Sequence, residues 1–231
     1  MVNVSPVILI LGAGPNVGQH VARAFAAKGY KVALASRRLK EDDSTADEVH
    51  ISSDLSDPSS IVRVFSKVKA LLGFPSVVVY NAGAVTPTDG KTPLALPLAD
   101  FTRYFNINTT SAFVAAQQAV LGFEQLSDSA SKTFIYTGNI LNTTTMPALM
   151  DLGIGKSATA HIIECAAQAY KDRGFKFYYS DERKADGKAV YNDINGEAHG
   201  ELYVQLAEGK SQGPWQQTFV KDVGYKHFPA Q

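Results

Sequence analysis

Gly12, Gly14 and Gly18 stand between the apolar run Val7 to Leu11 and a stretch with helical apolar spacing, Val17, Val21 and Phe25. That arrangement is suited to holding a pyrophosphate. A glycine turn lets the backbone approach the anion, and the helix after it presents free N–H groups and the positive end of its dipole. About twenty residues on, Ser36-Arg37-Arg38 ends the next apolar run, where such a unit meets the adenosine ribose. No carboxylate stands there. A carboxylate would hold both ribose hydroxyls of NAD and repel a 2′-phosphate, whereas Ser36, Arg37 and Arg38 offer donors and a positive fork. The expected cofactor is NADP(H) in preference to NAD(H). His161 and Cys165 lie four apart on one helix face, but two such ligands without a third make no metal site, and they read as core packing.

The elements that must position these groups alternate β and α along the chain. Strands are expected over 7–11, 31–36, 49–52, 76–80, 133–137, 175–179 and 217–220, the first of them apolar throughout, as in a sheet covered on both faces. Helices are expected after the glycine turn and over 57–72, 100–123, 153–172 and 196–208. The predicted apolar face of the fourth of these is Ile154, Ala158, Ile162, Cys165 and Ala169, and that of the last is Ala198, Leu202 and Leu206. The fold class is α/β, a doubly wound, mostly parallel, seven-stranded sheet with helices on both faces. A single domain spans 1–231, with a short lid region over 181–208.

Composition narrows the partners. Among 231 residues, 22 Lys and Arg balance 22 Asp and Glu, so no global field draws the chain to nucleic acid or an anionic membrane, and a small molecule is the expected ligand. One cysteine excludes an internal disulfide and suits a reducing compartment. No apolar run approaches the ~20 residues that span a bilayer, so a cytoplasmic location is expected.

By these motifs the chain resembles the short-chain dehydrogenase/reductase family over nearly its whole length. Gly12-Ala13-Gly14-Pro15-Asn16-Val17-Gly18 is similar to the family's glycine turn with its middle glycine replaced by Asn16, a residue that tolerates the left-handed backbone region. Asp54-Leu55 matches the pair that contacts adenine, Asn81-Ala82-Gly83 the segment after the fourth strand, and Asn108 the family's helix Asn. The resemblance implies a Rossmann fold, a bound nicotinamide nucleotide, and dimer or tetramer formation through helices 100–123 and 153–172. It also implies a catalytic Ser after the fifth strand, a Tyr thirteen residues later and a Lys four residues after the Tyr. In that chemistry Tyr protonates the developing alkoxide, Lys lowers the Tyr pKa and holds the ribose, and Ser steadies the oxygen.

Two of those three positions differ. Asn139 takes the Ser position, Leu152 the Tyr position, and only Lys156 is of the family type. Leu has no proton to give, whereas the Asn139 amide still donates to an oxygen. After the sixth strand, Ser180-Asp181-Glu182-Arg183 replaces the family's Pro-Gly segment and the Thr that contacts nicotinamide. Groups that could serve as a substitute acid are Asp151, otherwise the N-cap of the helix near Gly153, and Thr143, Thr144, Thr145, Tyr178, Tyr179 and His199. The sequence-level expectation is an NADP(H)-binding protein whose usual carbonyl-reductase catalysis is lost or rerouted. The alternatives are an active atypical reductase on a small carbonyl or enone, and a binding or assembly module.

Overall fold

Runs of Val, Ile, Leu, Ala, Phe and Tyr that are apolar on both faces belong in a sheet covered on both sides by helices. The computed structural model, which describes residues 5–228, has such a sheet of strands β1 Val7–Leu11, β2 Lys31–Ser36, β3 Glu48–Ser52, β4 Val77–Tyr80, β5 Thr133–Thr137, β6 Lys176–Glu182, β7 Gln216–Val220 and β8 Gly224–Tyr225. Their order is β3-β2-β1-β4-β5-β6-β7-β8, parallel throughout except for β8. Strand order reverses between β1 and β4, and the crevice at the strand ends there is where doubly wound sheets bind ligands. The helices are α1 Val17–Ala26, α2 Ser59–Leu71, α3 Leu98–Phe105, α4 Ser111–Phe123, α5 Met150–Tyr170 and α6 Gly196–Glu208. One core cluster packs α2, α4 and α5 on one sheet face, and the other packs α1 and α6 on the opposite face. Alternate residues of β1 supply the two: Leu9 and Leu11 face the first, Ile8 and Ile10 the second. Contact between α1 and α6 is close because α6 turns glycines toward α1: a Cβ at Gly196 would lie 2.6 Å from the Asn16 side chain, and one at Gly200 3.1 Å from the His20 carbonyl.

Four sequence expectations are corrected here. The sheet has eight strands rather than seven, the eighth being a two-residue antiparallel ribbon whose turn places Asp222 and Gly224 at positive φ. The sixth strand does not stop at Tyr179. Ser180, Asp181 and Glu182 continue it as buried residues because the Asp181 charge is met by Arg183, which removes the reason to end a strand at polar sequence. The helix expected over 100–123 is interrupted by a π-helical turn at Asn106–Thr110 between α3 and α4. Finally, α5 buries Gly155, Lys156, Thr159, Ala160, Ile163 and Ala167 rather than the apolar set predicted for it. Cys165, Ala169 and His161 lie exposed on the other side, so neither Cys165 nor His161 is core packing. The apolar spacing was real, but it belongs to an outward groove lined also by Phe113, Val120 and Leu121 of α4.

Candidate functional site

Backbone sterics build the glycine turn. Gly12 sits at φ +93°, and a Cβ there would lie 2.4 Å from the Ala82 nitrogen, while one at Gly18 would lie 2.8 Å from Ala13 Cα. Both positions therefore require glycine for the fold itself. Gly14 has nothing within 4 Å of a Cβ, so its bareness faces open cleft rather than protein. The Asn81 amide donates to Gly12 O at 2.8 Å and locks the turn onto the end of β4. Asn16 is not left-handed; its φ is −93°, and its Nδ2 donates to Ile194 O at 2.9 Å, tying the turn to the segment that leads into α6.

A cleft of about 490 Å³ opens over this turn, lined by Gly12, Gly14, Ser36, Arg37, Arg38, Asp54, Leu55, Asn81, Ala82 and Gly83 among others. Val17 is in the neighbouring cleft, while Gly18 packs on Ala13. Asp54 accepts from the Ser56 N–H at 3.0 Å, and that bond first, with Arg37 and Arg103 nearby, holds its carboxyl below the usual range. Ser53 also lines the cleft, and its buried Oγ has no partner among the described residues. An orphaned hydroxyl and an unfilled glycine in one groove, with two arginines at its far end, fit a phosphorylated nucleoside.

The neighbouring cleft, of about 410 Å³, shares Asn81, Gly83 and Ala84 with the first and brings together Asn139, Leu152 and Lys156. Three fully buried tyrosines stand in register on β4, β5 and β6: Tyr80 stacks on Tyr136 at 5.8 Å between ring centroids, and Tyr136 on Tyr179 at 5.6 Å. Each buried phenol finds a carbonyl, as buried hydroxyls must. Tyr80 donates to Ile107 O at 2.6 Å, Tyr136 to Asn108 O at 2.9 Å and Tyr179 to Asn139 O at 2.8 Å. The first two acceptors lie in the π turn, whose loosened ladder frees carbonyls for outside donors. Asn108 is fully buried; its amide donates to Ala84 O at 2.7 Å and its Oδ1 accepts from Ala84 N at 3.0 Å, which fixes the rim of both clefts.

Lys156 crosses above Tyr136, with Nζ 4.5 Å from the ring centroid and donating to Thr137 O at 2.8 Å. Burial pushes the ammonium down to about 7, partly opposed by Asp181. Asp181 accepts from Nε and Nη2 of Arg183 at 2.6 and 2.5 Å. Its burial nevertheless raises it to about 6. Asn139 spends Oδ1 on the Leu141 N–H at 3.0 Å, which leaves its Nδ2 as the polar group for a ligand oxygen.

The substitute acids separate on geometry. Asp151 is in the first turn of α5 rather than at its N-cap, and its carboxylate accepts from the Thr86 and Leu152 N–H groups at 2.9 and 2.7 Å, away from the cleft wall. Thr143, Thr144 and Thr145 line a separate cleft of about 550 Å³ beside Trp215. Tyr178 faces the opposite sheet side, and Tyr179 is held under Asn139, burial raising its phenol far up. His199 does line the cleft, but burial lowers it to about 4, and Nδ1 is 2.8 Å from Asn195 O, so the ring is neutral with Nδ1–H donated. In the same wall are Glu182, which the sequence placed only as part of the segment replacing the family's Pro-Gly turn, and Tyr191, which sequence reasoning missed. Tyr191 sits at φ +50°, an uncommon state for a bulky residue that no local sequence signal announces.

Comparison with known proteins agrees with this architecture. A family profile described as short chain dehydrogenase matches residues 6–177. The short chain dehydrogenase/reductase dmxR12 of Cryptosporiopsis sp. (strain 8999) is 48% identical over 98% of this chain and 96% of its own length. Among solved structures, ElxO with NADP bound superposes with a TM-score of 0.77 at 16% identity, covering 94% of this chain and 96% of that one. A Brucella ovis family oxidoreductase with partially ordered NAD gives 0.70 at 18%, covering 93% and 99%. The chain belongs to the short-chain dehydrogenase/reductase family.

Proposed function

We propose that the protein binds NADP(H) along the two joined clefts, and that the tyrosine-dependent carbonyl reduction of its family is lost or rerouted in it. The observation that carries this reading is the meeting of Asn139, Leu152 and Lys156 in one cleft, with an alkyl group where a phenol would donate its proton. A positioned general acid contributes about 10²–10⁴ in rate. When bound, the cofactor supplies the hydride. The chain's own residues divide the remaining work: Arg37 and Arg38 offer cations to a 2′-phosphate, Lys156 Nζ retains donors for a ribose hydroxyl, and Asn139 Nδ2 donates to a ligand oxygen.

The preference for NADP(H) rests on the absence of a carboxylate at 36–38 in the nucleotide cleft. A second reading, an atypical NADPH-dependent oxidoreductase acting on a carbonyl or enone, is favoured by similarity along almost the whole chain to a relative named as a dehydrogenase/reductase. Fluorescence titration with NADPH and NADH, followed by turnover on ketone and enone panels, separates these outcomes. NADPH is expected to bind at least about tenfold tighter than NADH, a difference of about 1.4 kcal/mol, and Arg37→Ala to narrow the gap. Equal affinities would sink the cofactor preference; enone turnover without ketone turnover would favour the second reading.

A further inference from the structure

Lys156 carries more donors than the protein uses. An ammonium has three N–H groups, and its one hydrogen-bond acceptor among the described residues is Thr137 O. It forms no ion pair with a carboxylate there: Asp181 directs Oδ2 to Arg183, and its Oδ1 is without a partner among the described residues. The cleft in front of it is walled by Val85, Leu141, Met146, Leu149 and Leu152. A buried cation facing an apolar wall is poorly solvated, and an anionic oxygen delivered to it would gain a charge-assisted hydrogen bond.

We propose that Lys156 binds the ionised oxygen of a phenol or enol carried by the ligand, in the space that Leu152 leaves without a side-chain hydroxyl. The inference rests on the reading of this cleft as the ligand half of the site, and it names the class of ligand. An acidic hydroxyl on a flat apolar frame fits better than a carboxylate. It brings one oxygen to one cation and lays carbon against the leucines, whereas a carboxylate has a second strongly hydrated oxygen to satisfy. The titratable and charged groups near Lys156 are Tyr136 under its ammonium and Asp181, which is paired with Arg183 and near Tyr179, and Glu182, Tyr191 and His199 line the same cleft. Because burial holds the Lys156 ammonium at about 7, it and an acidic hydroxyl compete for one proton on nearly even terms.

The test is binding of 4-nitrophenol, read from its phenolate absorbance, with 4-nitroanisole as the control that cannot ionise. It is run on the protein alone and with NADP⁺, while NADPH affinity and circular dichroism are measured on the same samples. The bound probe is expected as phenolate, its apparent pKa lowered by about one unit, a tenfold shift in ionisation. Lys156→Met should abolish the shift and Lys156→Arg keep it. Leu152→Tyr, which fills the space with a phenol, should weaken the probe at least about tenfold. The proposal is overturned if the probe fails to bind folded protein, if its ionisation is unshifted, if the anisole binds equally well, or if folded Lys156→Met keeps the shift. Should Lys156→Met not fold, the wild-type spectrum and Leu152→Tyr decide. NADPH binding without phenolate binding defeats this inference alone, and phenolate binding without NADPH binding defeats the nucleotide reading alone.

Discussion

Lys156 sits beneath the cleft with about one-twentieth of its surface exposed and an ammonium lowered to about 7, so the unfolded chain holds its proton to a higher pH than the folded one does. Folding stability from this residue is therefore least below pH 7 and rises as pH climbs from about 7 toward the ordinary lysine value of 10.5. Lys156→Met should raise the unfolding free energy at pH 6–7 by an amount on the order of a few kcal/mol at about 1.4 kcal/mol per pKa unit, seen as a higher urea midpoint, and flatten the rise above it. A midpoint that falls at pH 6–7 would mean the Thr137 and Tyr136 contacts outweigh desolvation. Residue identity was the most legible part of the site. Gly12, Gly14 and Arg37 were readable by spacing, and Asp54, Asn81, Asn139, Leu152 and Lys156 through the family resemblance; all of them line the two clefts. The role of Asn16 was not readable, because its partner Ile194 lies 178 residues away and no local pattern encodes that bond.

At the scale of elements, the strand–turn–helix unit contains glycines of two kinds. Gly12→Ala meets Ala82 backbone and a positive φ, so it should cost about 1–3 kcal/mol of stability as well as nucleotide affinity. Gly14→Ala meets open space in the protein. It should leave the thermal midpoint within a degree or two and weaken NADPH at least about tenfold. Calorimetry alongside NADPH titration checks both, and an unchanged affinity in Gly14→Ala would remove the pyrophosphate from this turn. Strands of continuous apolar sequence were legible to within a residue or two because burial on both faces leaves a plain signature. The end of β6 was not, since its charged residues are inside only by virtue of the Asp181–Arg183 pair. The π turn was equally hidden: two of its carbonyls, Ile107 O and Asn108 O, accept from Tyr80 and Tyr136 on β4 and β5, partners that no local pattern announces.

For the whole molecule, the sheet order and helix layers put every site group at one end of the strands, and the fold class followed from β–α alternation alone. The side of α5 that periodicity marked as core is instead an outward groove, where Phe113 is 48% and Leu121 52% exposed. Helical spacing cannot tell a core from a subunit contact, because both bury apolar side chains in the end. We take α4 and α5 as the surface of a homo-oligomer and expect sedimentation to find a dimer or tetramer that Phe113→Asp dissociates; a monomeric wild type would contradict this. The central claim concerns the phenol missing between Asn139 and Lys156. Its most direct test is NADPH-dependent ketone reduction by the wild type and by the double variant Asn139→Ser/Leu152→Tyr. The account predicts no measurable ketone turnover in the wild type and a gain of about 10²-fold or more over its background in the double variant. Ketone reduction by the wild type at ordinary enzyme rates, about 1–10³ s⁻¹, would contradict it.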